Sequence, residues 1–185
     1  MAILTSGGAM GADTCFNYWA SQVGDTIYNV SFQGHKSACS HLVQLSDHQL
    51  NQANPFLEQA CLKLQRRLPK EGYTKKLLQR NFFQIRRVDV VIAVAPLLTD
   101  QIVDGGTGWA IAMAQLLQKE IYVFDIKDAL NPSWVCYNYD SQRFNSCDMP
   151  SKKERYAGIG SRKLPPKAEE EIKALFKFWH PQLIQ

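Results

Sequence analysis

The sequence predicts an α/β protein built on one doubly wound, mainly parallel sheet. Strand-like apolar segments alternate with helical segments along the chain, which is the pattern of βαβ units. Residues 88–95 are almost continuously apolar, as is typical of a strand buried on both faces. Three glycine-rich turns each precede a helical segment, and in an open parallel sheet such turns meet at one edge.

The composition favours one globular domain over residues 1–185, since a chain of this length can bury a sizeable core. No apolar run could span a bilayer and no signal peptide is evident, so we expect no membrane association and a cytoplasmic location. The five cysteines form no CxxC pair, so we expect reduced thiols, no metal site and no cofactor. The net charge of +4 permits an anionic ligand but does not indicate nucleic acid.

The N-terminal stretch predicts a strand, a glycine turn and a helix. Residues 2–5 are strand-like, and Ser6, Gly7, Gly8 and Gly11 form the turn. The helix is indicated by apolar residues at helical spacing: Ala12, Cys15, Phe16, Trp19, Ala20 and Val23. Because backbone N–H groups and a helix N-terminus stabilise an anion, we interpret this turn as a phosphate cradle. A tight turn that binds nothing is the alternative.

The next segments are less distinctive. Residues 26–32 predict a second strand. Residues 33–54 are polar and carry His35, His41 and His48, whose spacing matches no zinc signature. We interpret this segment as a surface loop, long enough to act as a lid.

Two amphipathic helices are predicted next, one from Pro55 to Leu68 and one through Leu77 to Ile85. We interpret most of their basic residues as a solvated face, and a patch for an anionic ligand or nucleic acid is the alternative. These residues are Lys63, Arg66, Arg67, Lys70, Lys75, Lys76, Arg80, Arg86 and Arg87.

The second half of the chain repeats the strand-then-helix order. After the buried strand, the turn at residues 104–108 leads to a helix and then to a strand at 120–126. Residues 134–139 suggest an edge strand and 142–153 a polar, flexible segment. Residues 155–159 predict the last strand, and a helix closes the chain after residues 165–166.

Several side chains at the turns are candidate ligand contacts. Ser6 and Thr107 could donate to a phosphate or cap their helices. Arg162 follows Gly158, Gly160 and Ser161, and a guanidinium beside two glycine turns suits a phosphate. Asp13 could stabilise its helix N-terminus, contact a ribose hydroxyl or base, or act as a general base. The turn at residues 104–108 contributes Gly105, Gly106 and Gly108. Asp104 and Asp125 are weaker candidates, and Trp109 is interpreted as a packing residue.

Together the three turns resemble those of the SLOG superfamily, which contains the Lonely Guy (LOG) phosphoribohydrolases and the DprA DNA-processing proteins. Residues 6–13 are similar to its "SGGAxGAD" turn, residues 156–162 to "YAGIGSR" and residues 105–108 to "GGTG". Arg80, followed by Asn81, resembles the arginine that precedes the buried strand in LOG proteins. The resemblance implies a Rossmann-like nucleotide-binding domain.

The order of the motifs departs from the family. There the "YAGIGSR" strand and helix come first, whereas here they come last. The sequence therefore suggests a circular permutation, and the alternative is a swapped homodimer in which this unit inserts into a second copy.

The catalytic pattern of the LOG enzymes is also incomplete. Their "PGGxGTxxE" motif would place its glutamate near Ile111 or Ala112, where this chain has no carboxylate, and Trp109 replaces the threonine. Of the family's catalytic pair, the resemblance leaves only Arg80.

We therefore expect the glycine-turn edge to bind a nucleotide or a nucleotide-derived, phosphate-bearing ligand. One alternative is an enzyme that cleaves or transfers an N-glycosidic bond, with Asp13 or Arg80 as candidate catalytic residues. The other is a DprA-like DNA-binding protein that uses the basic stretch at residues 63–87.

Overall fold

The computed structural model describes residues 1–182 and contains eight strands and six helices in those residues. The strands are β1 (Ile3–Ser6), β2 (Thr26–Phe32), β3 (Leu42–Leu45), β4 (Val90–Ala95), β5 (Glu120–Asp125), β6 (Ser133–Asn138), β7 (Arg143–Ser146) and β8 (Arg155–Gly160). The helices are α1 (Ala12–Gln22), α2 (Asp47–Asn51), α3 (Asn54–Leu64), α4 (Tyr73–Ile85), α5 (Gly105–Leu116) and α6 (Pro166–Trp179).

All eight strands form one sheet in the order β3-β2-β1-β8-β4-β5-β6-β7. The pairs from β3 to β5 are parallel, and β6 and β7 extend the sheet antiparallel at one edge. The predicted α/β fold class with a mainly parallel sheet is confirmed. The last strand pairs with the first, with Ile3 opposite Arg155 and Thr5 opposite Ala157.

Helices cover both faces of the sheet. On one face α1 and α6 pack on β1, β4 and β8, with Phe16 and Phe176 in the core. On the other face α3, α4 and α5 pack on β2, β4 and β8, with Leu57 and Met113 in the core. Every residue of β4 is buried, which is why its sequence is uniformly apolar. No helix within residues 1–182 has the length and apolarity that a bilayer span requires.

Two segments differ from the sequence interpretation. Residues 33–54 are not one surface loop, because they contain β3, which is parallel to β2, and α2, which begins with a capping box between Ser46 and Gln49. Residues 142–153 contain β7, which pairs with β6. Both strands lie at sheet edges, and their side chains are mostly exposed, so no apolar pattern marks them.

Gly158 and Gly160, the glycines of the "YAGIGSR" motif, belong to β8 itself, and the turn begins at Ser161. A Cβ atom on Gly158 would lie 2.5 Å from Cγ of Phe16, and one on Gly160 would lie 2.3 Å from the carbonyl oxygen of Val94. These glycines therefore allow α1 to approach the sheet closely.

Candidate functional site

A cavity of about 370 Å³ lies at the carboxyl edge of the sheet, within the range of small-molecule sites. It is bordered by the Gly7 turn, the ends of β4 and β8, helix α4 and the N-terminus of α5. Helix α1 follows β1 on one face while α5 follows β4 on the other, and this reversal of winding is where α/β proteins bind ligands. Its polar lining residues are Asp13, Thr74, Arg80, Asn81, Gln84, Asp104, Thr107, Ser161 and Arg162.

The Gly7 turn is closed by a carboxylate of the chain itself. One oxygen of Asp13, Oδ2, accepts hydrogen bonds from the N–H groups of Gly7 (3.1 Å) and Ala9 (3.2 Å). The other oxygen, Oδ1, accepts from the N–H of Gly160 at 3.1 Å. Burial raises the pKa of Asp13, while the nearby Arg80 charge and these three hydrogen bonds oppose that rise. Asp13 thus occupies N–H groups that a bound phosphate would need.

The glycines of this turn are tightly enclosed. A Cβ on Gly7 would lie 2.1 Å from Nε2 of Gln84, and one on Gly11 would lie 2.4 Å from the carbonyl oxygen of Arg162. Gly11 also has a φ of +91°, which favours glycine. The Ser6 hydroxyl donates to the carbonyl oxygen of Gly158 at 2.6 Å. The turn packs against its neighbours on several sides.

The turn before α5 is open by comparison. Gly105 and Gly106 are exposed, and no atom lies within 4 Å of a Cβ built on either. Asp104 is the N-cap residue but makes no side-chain capping bond. The first N–H groups of a helix have no partner within the helix, so this end of α5 presents donors and a positive dipole end to the cavity. Gly108 lies further in, where a Cβ would be 2.0 Å from the carbonyl oxygen of Val103.

Arg80 places a buried positive charge at the cavity. Its side chain is buried, and Nη1 donates to the carbonyl oxygen of Gly7 at 2.7 Å and contacts Nε2 of His35 at 2.8 Å. Nε has no hydrogen-bond partner. Burial lowers the pKa of Arg80 and the Asp13 charge opposes this, but an arginine stays protonated. The exposed Arg162 lines the same cavity and adds a second positive charge.

Helix α4 contributes polar groups that the sequence interpretation did not assign to the site. Asn81 donates from Nδ2 to the carbonyl oxygen of Gly106 at 3.1 Å, and Gln84 lines the cavity although only 2% of it is exposed. The signal that could have revealed them is helical spacing, since Leu77, Asn81 and Gln84 follow one another at intervals of three or four residues.

The basic stretch on α3 and α4 does not form one solvated face. Arg66 donates from Nη1 to the carbonyl oxygen of Gly105 at 2.9 Å and lies 3.8 Å from Asp104, so it holds the open turn. Lys76 pairs with Asp47, and the guanidinium of Arg86 lies over the ring of Phe83. The solvated interpretation is therefore wrong for Arg66, whereas Arg80, a predicted site residue, is buried.

The predicted site residues fall into two groups. Those that line the cavity are Asp13, Arg80, Gly105, Gly106, Thr107, Gly160, Ser161 and Arg162. Those that lie outside its lining are Ser6, Gly7, Gly8, Gly11, Gly108 and Gly158. The second group consists mainly of residues whose contacts fix the backbone around the cavity.

The fold places this chain in the class of Rossmann-like α/β proteins, and a cavity lies at the carboxyl edge of its sheet. No family model matches the sequence, and no curated protein matches it. Among solved structures, the chain is similar to a protein described as "Putative molybdenum carrier protein" from Syntrophus aciditrophicus SB. The TM-score is 0.51 at 15% identity, and the match covers 97% of this chain and 94% of the other. At this identity the likeness shows the fold alone.

Proposed function

We propose that this protein binds a nucleotide or a nucleotide-derived molecule, with the phosphate at the open N-terminus of α5. One observation carries the proposal: the exposed Gly105–Gly106 turn, Arg80 and Arg162 all line one cavity. A helix N-terminus and two guanidinium groups all favour an anion, and arginine suits the oxygens of a phosphate.

The rest of the lining suits the remainder of such a ligand. Leu77, Leu78, Ala110 and Ile159 supply apolar surface for a ring, and the nearby side-chain amide of Gln84 can bond a heterocyclic edge. A volume of about 370 Å³ matches a ligand of mononucleotide size better than a polymer.

The resemblance to the SLOG superfamily, in permuted order and over one domain, belongs to this proposal. It is supported by the position of β8, which lies next to β1 and brings the Ser161 turn beside the Gly7 turn. The pairing of β8 with β1 and β4 of the same chain supports a permutation over a swapped homodimer.

Binding without cleavage fits the carboxylates better than glycosidic chemistry does. Among residues 1–182, the carboxylates that line the cavity are those of Asp13 and Asp104. Asp13 is committed to three backbone N–H groups, and Asp104 lies at the exposed end of α5 beside Arg66. Neither is placed as an unengaged general acid or base.

The proposal is tested by titrating the protein with AMP, inorganic phosphate and molybdate, the last because of the structural neighbour's description. The matched variants are Arg162→Ala and Lys163→Ala, which remove one positive charge each at adjacent positions, only the first of which lines the cavity. A hydrogen bond to a charged group contributes about 1.5–3 kcal/mol, so Arg162→Ala should weaken AMP binding about tenfold or more. Lys163→Ala should change it less than about twofold, because Lys163 does not line the cavity and its exposed charge acts only through screened solvent.

Equal, small losses in both variants would mean that the anion site is elsewhere. Tight binding of molybdate together with no binding of AMP would replace the nucleotide with an inorganic oxyanion as the ligand.

A further inference from the structure

We propose that His35 is a positioning residue for the anion site, because its imidazole holds the guanidinium of Arg80 in place from behind the cavity. The inference rests on the proposed function, since it assigns Arg80 to the bound anion. His35 itself does not line the cavity.

The contacts of the imidazole fix its tautomer. Nε2 lies 2.8 Å from Nη1 of Arg80, and a guanidinium can only donate, so Nε2 must be the acceptor. Nδ1 therefore carries the proton and donates to Oγ of Ser31, 3.1 Å away. Ser31 is fully buried on β2, so the imidazole is anchored to the sheet.

Packing fixes the orientation of the ring. The imidazole stacks on Phe32, with ring centroids 5.2 Å apart and an interplanar angle of 30°. The backbone N–H of His35 donates to the carbonyl oxygen of Phe32 at 2.9 Å, which closes the turn that places the ring. The end of β2 thus determines where a side chain of α4 can lie.

Arg80 is buried near the charge of Asp13, but few hydrogen bonds orient its guanidinium. Its other hydrogen bond goes to the carbonyl oxygen of Gly7, and Nε is unpartnered. Without an acceptor at the position of Nε2, the guanidinium would keep one contact and could rotate about it. An anion would then have to order the side chain, which reduces affinity.

The imidazole must also be uncharged to accept this hydrogen bond. Burial and the positive charges of Arg80 and Arg162 lower the pKa of His35 to about 4. A neutral ring at pH 7 is therefore consistent with the geometry.

The test compares His35→Gln, whose side-chain oxygen can accept near the position of Nε2, with His35→Phe, which retains a ring against Phe32 but has no acceptor. Inorganic phosphate and AMP are the probes. His35→Phe should weaken binding about tenfold, and His35→Gln should remain within about threefold of the wild type. Ser31→Ala removes the hydrogen-bond partner that fixes the tautomer of His35, so it should weaken binding about threefold. If His35→Phe does not fold, Ser31→Ala tests the proposal in its place.

A ¹⁵N NMR spectrum of the ligand-free wild type supplies an independent readout, and it should show a neutral ring protonated on Nδ1 at pH 7. Wild-type affinity in His35→Phe, or in Ser31→Ala when the phenylalanine variant is unfolded, would overturn the proposal. So would a ring protonated on Nε2 in a wild type that binds the probes. If neither probe binds the wild type, the proposed function fails first, and an Nδ1-protonated ring would then reduce His35 to a structural contact.

Discussion

The Gly7 turn and the Gly105 turn have similar compositions but opposite structures. Each contains three glycines and leads into a helix at the same edge of the sheet. At the Gly7 turn the second helical residue is Asp13, whose carboxylate folds back onto the turn and takes its N–H groups. At the other turn the second helical residue is Gly106, which has no side chain. One turn therefore carries its own anion, and the other is open to an external one.

This difference shows that a glycine turn before a helix indicates only that N–H groups converge. Whether a ligand can use them depends on the side chain that follows. We therefore expect the Gly7 turn to stabilise the fold and propose that the Gly105 turn binds the ligand, and each of the following predictions tests that division.

The largest expected effect comes from Asp13→Ala, which should lower the free energy of unfolding by about 4 kcal/mol. Three backbone N–H groups lose their acceptor and the buried Arg80 loses the nearest opposing charge. Urea denaturation measures the change. Asp104→Ala is the control at the open turn and should cost less than about 0.5 kcal/mol, since its contact with Arg66 is exposed. Similar losses in the two variants would remove the distinction.

A second pair separates glycines needed for packing from glycines that face open space. Gly160→Ala should destabilise by about 3 kcal/mol, because its Cβ would press on the backbone of β4. Gly106→Ala should stabilise slightly, by about 0.5 kcal/mol, because alanine favours a helix and nothing lies nearby. Thermal unfolding of both variants decides this, and a destabilised Gly106→Ala protein would show that the second turn is not open.

The stability of the protein should depend on pH through His35, which contacts Arg80 beside the Gly7 turn. The pKa of His35 is lowered to about 4, so between pH 6.5 and 4 the unfolded chain binds a proton that the folded chain does not. The contribution of His35 to stability is therefore fully present above pH 6.5 and declines as the pH falls through that range. His35→Gln should reduce the slope of stability against pH there, as measured by denaturation at several pH values. An unchanged slope would mean that His35 titrates normally.

The smallest expected effect is on catalysis. If the open turn only binds its ligand, incubation with AMP should release no measurable adenine, as followed by chromatography. Turnover on the order of 1 per second or more would show that Asp13 or Asp104 performs chemistry despite its contacts.

The centre of the fold could be predicted from the sequence, but its edges could not. The uniformly apolar run at residues 88–95 identified β4, because a strand covered on both faces has no polar side. Strands β3 and β7 were missed, because backbone pairing forms them while their side chains remain mostly exposed. Backbone pairing of this kind leaves no periodic pattern of apolar residues in the sequence.

Within the site, the sequence predicted Arg80, Arg162 and the two glycine turns as ligand contacts, and all of them lie at or beside the cavity. It could not show that the carboxylate of Asp13 points inward, because that depends on the register between β1 and β8. His35 was interpreted as a loop residue, since its partner Arg80 lies far away in sequence and only the packing of α4 against β2 brings them together.

The position of β8 has a consequence for how the chain is made. This strand is synthesised after β1 and β4, yet it lies between them and joins the two halves of the sheet. Until it is synthesised, β1 and β4 each present an unpaired edge, which is a hazard for aggregation. Of the strand pairs described, β1 and β8 lie farthest apart in sequence, so we expect their pairing to form slowly. A nascent chain that has not been extended past residue 155 therefore has two half-sheets with no strand between them, and their unpaired edges favour aggregation until β8 is synthesised.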